Sequence, residues 1–137
     1  MRTTVATFAL GLVLFACTNK QESAARTTEA GRAFAALVDR YSAAGDAERE
    51  AILVKLSDLP CDPVSLCAAK VQCQNSMLAY RSASLSKKAA ADMLAAGGAE
   101  DMKSIIALKL NDAEGQFDEA RRAFPSCVSA AAPFRGK

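Results

Sequence analysis

Three cysteines stand at six-residue intervals in the stretch CDPVSLCAAKVQC, as Cys61, Cys67 and Cys73, and a fourth, Cys127, lies near the far end of the chain. Thiols so spaced suggest three chemistries: a metal site, a redox couple or structural staples. Zinc ligands are usually separated by two to four residues and often include histidine. Here five residues intervene each time, and the chain has no His. No Cys-x-x-Cys pair is present, so the redox motif is missing too. Asp112, Glu114, Asp118 and Glu119 crowd one segment, and carboxylates can do acid–base work. Arg121 and Arg122 follow three and four residues after Asp118, the spacing of a solvated, ion-paired helix face. Ser65, Ser76 and Ser104 have no histidine base, and no phosphate-binding loop, dinucleotide fingerprint or nucleophile elbow occurs. The reading is therefore a non-enzyme with no catalytic residues, no metal and no cofactor, in which the four cysteines carry structure.

A fifth cysteine has a different setting. Arg2 precedes an apolar run, Val5 to Ala16, interrupted by Thr7 and Gly11. A permanent membrane span needs roughly 20 residues, so this run has the length of a secretory leader instead. It ends Leu14-Phe15-Ala16-Cys17 and is followed by polar Thr18-Asn19-Lys20-Gln21. Leu14, Ala16 and Cys17 resemble the lipobox of bacterial lipoproteins, with Phe15 where that family usually has a small residue. The resemblance covers residues 1–17 and no more. It implies cleavage after Ala16, a diacylglycerol on the Cys17 thiol and further acylation, often palmitate, of the new amino group. Two or three acyl chains anchor a protein stably. Thr18, where inner-membrane lipoproteins of this family carry Asp, implies the outer membrane and a periplasm-facing domain. The alternative is an ordinary signal peptide leaving Cys17 free, but Leu14 occupies a place that such cleavage gives to a small residue.

The elements that position the cysteines are helices. Hydrophobic residues make up 51% of the chain but aromatics only 6%, so the apolar content is largely alanine, the best helix former. Residues 17–27 read as a lipidated, flexible tether, and the expected helical domain is 28–134. A first helix begins at Thr27 or Thr28 and runs to about Ala44, with Phe34, Leu37, Val38 and Tyr41 on one face. Gly45 ends it, and Asp46 caps a second helix, to about Asp58, whose stripe is Ile52, Leu53, Leu56 and Leu59. Pro60 stops it. Asp62 and Pro63 start a third helix, as N-cap and first residue, running to about Ala96. Two stripes mark it as central and buried on two sides: Val64, Cys67, Val71, Leu78 and Leu85, then Leu66, Cys73, Met77 and Tyr80. After Gly97-Gly98 a fourth helix opens at Glu100 and Asp101 and is expected to stop at Pro125, with Met102, Ile106, Ala113, Phe117, Ala120 and Phe124 on its inner face. Gly115 in its interior suggests the close approach of another helix.

The last two helices form an antiparallel hairpin, coiled-coil in style, which brings Cys127 opposite position 68, beside Cys67 and within reach of Cys73. An exported chain oxidises its thiols in pairs. Cys67–Cys73 would lie about 9 Å apart along one helix, beyond disulfide reach. Cys61–Cys73 would stretch further. Cys61–Cys67 with Cys73–Cys127 is the pairing that remains, and the others return if the third helix begins later.

The expected architecture is all-α: a three- to four-helix bundle built on a long antiparallel helical hairpin, disulfide-stapled, with a shorter helical pair packed on it. With 17 basic and 15 acidic residues there is no basic face for nucleic acid. The expected role is that of a small membrane-anchored envelope lipoprotein with a structural or protein-interaction function, its partner an envelope protein of unknown identity. The alternative is a periplasmic helical chaperone or binding module that uses an apolar groove. A large exposed apolar patch would favour the second reading, a closed core the first.

Overall fold

The computed structural model describes residues 29–97 and 100–135. Within them the chain is helical: α1 (29–43), α2 (Asp46–Asp58), α3 (Val64–Ala95) and α4 (Lys103–Ala131), with short 3-10 turns at Glu100–Met102 and Ala132–Phe134. There is no strand among the described residues. α3 and α4 form a long antiparallel hairpin, and α1 and α2 pack on its lower half.

The core sits where all four helices meet. Phe34, Val38, Tyr41, Ile52, Leu56, Leu66, Met77, Cys73 and Cys127 are buried there together. α1 rises along α4: Phe34 meets Phe134 edge-on at 5.8 Å between ring centroids, and Tyr41 meets Phe124 at 5.5 Å. α2 descends along α3, from Tyr80, whose hydroxyl lies 3.4 Å from Asp46 Oδ1, to Lys70 beside Leu59. Above Tyr80 and Phe117, α3 and α4 continue as a two-helix arm. α3 has 32 residues and α2 only 13, and this mismatch in length produces the arm.

The arm is held by small residues. Ala83 and Ala90 on α3, with Ile106, Ala113 and Ala120 on α4, are buried outside the main core cluster. They recur every seven residues, as does Cys127 after Ala120, which keeps one seam facing the partner helix along a left-handed supercoil. Alanine in the seam lets the backbones approach closely.

Several boundaries differ from expectation. Gly45, not Asp46, is the N-cap of α2, and Asp46 joins Glu48 in the first turn, where acidic groups favour the helix dipole. Pro63 is the N-cap of α3; its carbonyl accepts from the Leu66 and Cys67 amides, and no side chain caps this end. The largest correction is Pro125. α4 passes through it to Ala131. An interior proline costs about 3 kcal/mol. Beyond it, Cys127 and Ala131 are buried, and Val128, Ala130 and Phe134 pack on the core, which offsets that cost. The chain end is tied by Arg135, whose guanidinium donates twice to Asp39, at 2.6 and 3.1 Å. Phe134 also explains Gly31: a Cβ there would lie 2.7 Å from its ring.

The two-sided burial of α3 does not hold. Leu66, Cys73 and Met77 are buried, but Val64, Val71, Leu78 and Leu85 are exposed, Val64 at 84% and Leu85 at 58%. Regular spacing marks an apolar face without saying what covers it. Here no part of the described chain does.

Candidate functional site

Both disulfides are present. Cys61–Cys67 folds the segment before α3 onto its first turn, with a Cα–Cα distance of 4.6 Å. Cys73–Cys127 joins α3 to α4, also at 4.6 Å, across a sequence separation of 54. The helices meet at position 73 rather than near 68, because α3 ends at Ala95 and α4 begins only at Lys103, after a 3-10 turn, which moves the midpoint of the hairpin a few residues beyond Gly97. Both Cys73 and Cys127 are fully buried. Cys17 lies outside the described residues.

One further staple carries no sequence signal of its own. Lys70 is only 8% exposed, and its Nζ donates to the carbonyls of Ser57 at 2.7 Å and Leu59 at 2.6 Å. These belong to the end of α2, where helix carbonyls lack intrahelical partners. A positive charge there also complements the helix dipole. Lysine is usually solvated, so neither composition nor periodicity distinguishes this one from Lys87 or Lys88.

At the foot of the arm an aromatic cluster forms a shelf. Tyr80 packs edge-on against Tyr41 and Phe117, at 6.4 and 5.1 Å. Arg49 lies over it, its guanidinium carbon 4.2 Å from the Tyr80 centroid and 5.3 Å from that of Tyr41, a cation–π arrangement. Its Nε donates to the Tyr41 carbonyl at 3.3 Å. Burial pushes the Tyr41 hydroxyl up from its usual 10 to about 12, with Arg49 pulling the other way. Two hollows flank this stack. One, of about 500 Å³, lies between α2 and the arm and is lined by Arg49, Glu50, Tyr80, Arg81 and Lys88 among others. The other, of about 260 Å³, is an apolar slot walled by Tyr41, Tyr80, Ala120, Phe124 and Pro125.

The residues considered for chemistry are dispersed. Asp112, Glu114, Asp118 and Glu119 are exposed. Asp118 accepts from Arg121 at 3.2 Å, and Asp112 from Gln116 at 3.1 Å. Ser76 is buried and donates to the Cys73 carbonyl at 2.9 Å. Among the described residues no group of three His, Cys, Asp or Glu side chains could hold a metal ion. Among them, too, no helix is long and apolar enough to cross a membrane.

What the fold displays most openly is the arm. Leu85, Leu94, Ile105, Leu108 and Leu110 are exposed on it, and Val71 and Leu78 continue the Leu85 stripe toward the body. Gly115 stands on α4 with nothing within 4 Å of where a Cβ would be. The helix approach expected to explain this glycine is not made by the described chain. Comparison with protein-family models, with curated proteins and with solved structures returns no match.

Proposed function

We propose that the chain is an exported lipoprotein, held on the envelope face of a bacterial membrane by acyl chains on Cys17, where it serves as a non-enzymatic structural or interaction module. The observation that carries this is the pair of disulfides, one of them fully buried at the centre of the fold. Such bonds persist in oxidising compartments outside the cytoplasm. The apolar leader and the LFAC stretch supply the matching address. Gly31, against Phe134, lies at the end of the hairpin opposite the Gly97 turn, so a tether entering α1 leaves the arm pointing away from the anchor. The outer membrane is the proposed location, from Thr18 after the lipidated cysteine.

A second reading, a binding module or chaperone, is favoured by the 260 Å³ apolar slot and by the exposed leucines of the arm. Fractionation tests the first reading. Wild-type protein sediments with membranes, and Cys17→Ser releases it to the soluble envelope fraction. Retention of Cys17→Ser on the membrane would contradict the anchor. Suppression of aggregation of an unfolding client, abolished by Ala120→Trp in the slot, would favour the second reading instead.

A further inference from the structure

The smaller of the two hollows joins ring-rich walls to two arginines. We infer that this slot binds a small aromatic carboxylate, its ring between Tyr41, Tyr80 and Phe124 and its carboxylate on Arg49 and Arg121.

The first observation is size and shape. The slot holds about 260 Å³. A cavity of about 150 Å³ lined by apolar side chains takes one benzene ring. The slot therefore admits a single ring with a short substituent and little more. Tyr41 and Tyr80 stand at 83° to one another, and Tyr41 and Phe124 at 36°. A planar guest among rings so disposed meets faces on one side and edges on another, the contacts that aromatic pairs prefer. Ala120 and Pro125 add wall with no polar side-chain atom. The hydroxyls that line the slot are already engaged, Ser42 with the Asp39 carbonyl at 2.7 Å and Ser76 with the Cys73 carbonyl at 2.9 Å.

The second observation is charge. Arg49 and Arg121 line the slot, and among the described residues no carboxylate does. The larger hollow, of about 500 Å³, differs, because Asp46 and Glu50 line it beside its cations. The slot thus favours an anion and disfavours a cation. Arg121 donates to Asp118 at 3.2 Å, with both side chains more than half exposed. A pair so exposed is worth little and gives way to a better partner.

The third observation is how Arg49 is held. Its Nε is engaged by the Tyr41 carbonyl, and its guanidinium rests on the Tyr80 ring. Its side chain is only 21% exposed. Yet neither terminal nitrogen has an acceptor within hydrogen-bond distance among the described residues; Asp46, its ion-pair partner, stands 3.9 Å from Nη1. A guanidinium fixed in place with its terminal donors unengaged is preorganised for a carboxylate, which accepts from two nitrogens of such a fork. The inference deepens the binding-module reading and rests on it, and it does not depend on the anchor.

The test is calorimetric titration of 3-phenylpropionate into the full-length chain with both disulfides formed, carrying Cys17→Ser so that no acyl chain competes for the slot. Binding should saturate at one ligand per chain, with a Kd of about 1 mM or below. Tyr41 and Tyr80 are the two tyrosines of a chain without Trp, so tyrosine emission should change in step with the heat. The uncharged 3-phenylpropanamide should bind about tenfold more weakly or worse. Phenylalanine brings an ammonium group to the arginines and should not bind. Octanoate, an anion without a ring, should bind a few-fold more weakly. Ser42→Glu and Arg121→Glu, at exposed residues of the slot wall, should each weaken 3-phenylpropionate by about tenfold or more. Arg122→Glu, exposed but outside the lining, should change it by less than about twofold. Arg49→Met should weaken it most; that change also removes the stack on Tyr80, so the two exposed variants decide the matter if it does not fold.

An absence of saturable binding at about 10 mM would overturn the inference. So would an amide or octanoate that binds as tightly as 3-phenylpropionate, or binding indifferent to Ser42→Glu and Arg121→Glu. A chain that protects an unfolding client but ignores 3-phenylpropionate would sink this ligand and leave the binding module standing. Each failure also leaves the Cys17→Ser fractionation result untouched.

Discussion

Removing the Cys73–Cys127 bond should cost the fold more than twice what removing Cys61–Cys67 costs. The bonds have the same Cα–Cα distance and differ in the chain they enclose, separations of 54 and 6 residues. In the loop-entropy model the long loop loses about 14 cal/mol/K in the unfolded chain, or about 4 kcal/mol at 25 °C, and the short one about 2 kcal/mol. Cys73 and Cys127 are also fully buried, whereas Cys61 is exposed. Truncating the buried pair to alanine adds a cavity cost of about 1 kcal/mol. Cys73→Ala/Cys127→Ala should therefore lose about 5 kcal/mol, a fall in Tm of roughly 15–25 °C for a domain of this size. Cys61→Ala/Cys67→Ala should lose about 2 kcal/mol. Urea melts followed by helical circular dichroism, on protein carrying Cys17→Ser, measure both. Equal losses, or a larger loss at Cys61–Cys67, would mean that loop length and burial do not set the worth of these bonds.

Other consequences are as specific. Lys70→Met keeps the apolar stem but leaves the Ser57 and Leu59 carbonyls without their donor, and should cost about 2–3 kcal/mol in the same melts, more than Lys87→Met or Lys88→Met. The Tyr41 hydroxyl is raised to about 12 in the fold, so the folded state holds this proton more tightly than the unfolded chain. Its contribution is whole below the ordinary pKa of 10 and is lost as pH climbs from 10 to 12, about 2–3 kcal/mol in all. Tyr41→Phe should flatten that alkaline decline in a stability-versus-pH series. Gly115→Ala has open space and a helical backbone, and should raise monomer stability by about 1 kcal/mol; a loss would mean that a contact at this position already exists within the chain.

Much of this fold is legible in the residues. Gly45, Pro60 and Gly97 punctuate alanine-rich segments, and Phe34, Val38 and Tyr41 recur with a helical period, because local backbone preference and burial agree there. Pro125 has the local signature of a stop, because an interior proline is costly. Tertiary packing of Val128, Ala131 and Phe134, together with the bond at Cys127, overrides it. The Val64–Leu85 stripe has the spacing of a buried face and is exposed in the fold, because periodicity reports a face and not its cover. Lys70 is silent in the sequence, since its burial follows from where α2 ends in space, 11 residues earlier in the chain. The arm follows from unequal helix lengths.

The intact mass of the protein taken from the membrane fraction reads both the anchor on Cys17 and the disulfides at once. The expected mass is that of a chain beginning at Cys17, with a diacylglyceryl group and N-acylation on that residue, and four remaining cysteines without free thiols. A chain that retains residues 1–16, an unmodified Cys17, or free thiols at Cys73 and Cys127 would contradict it.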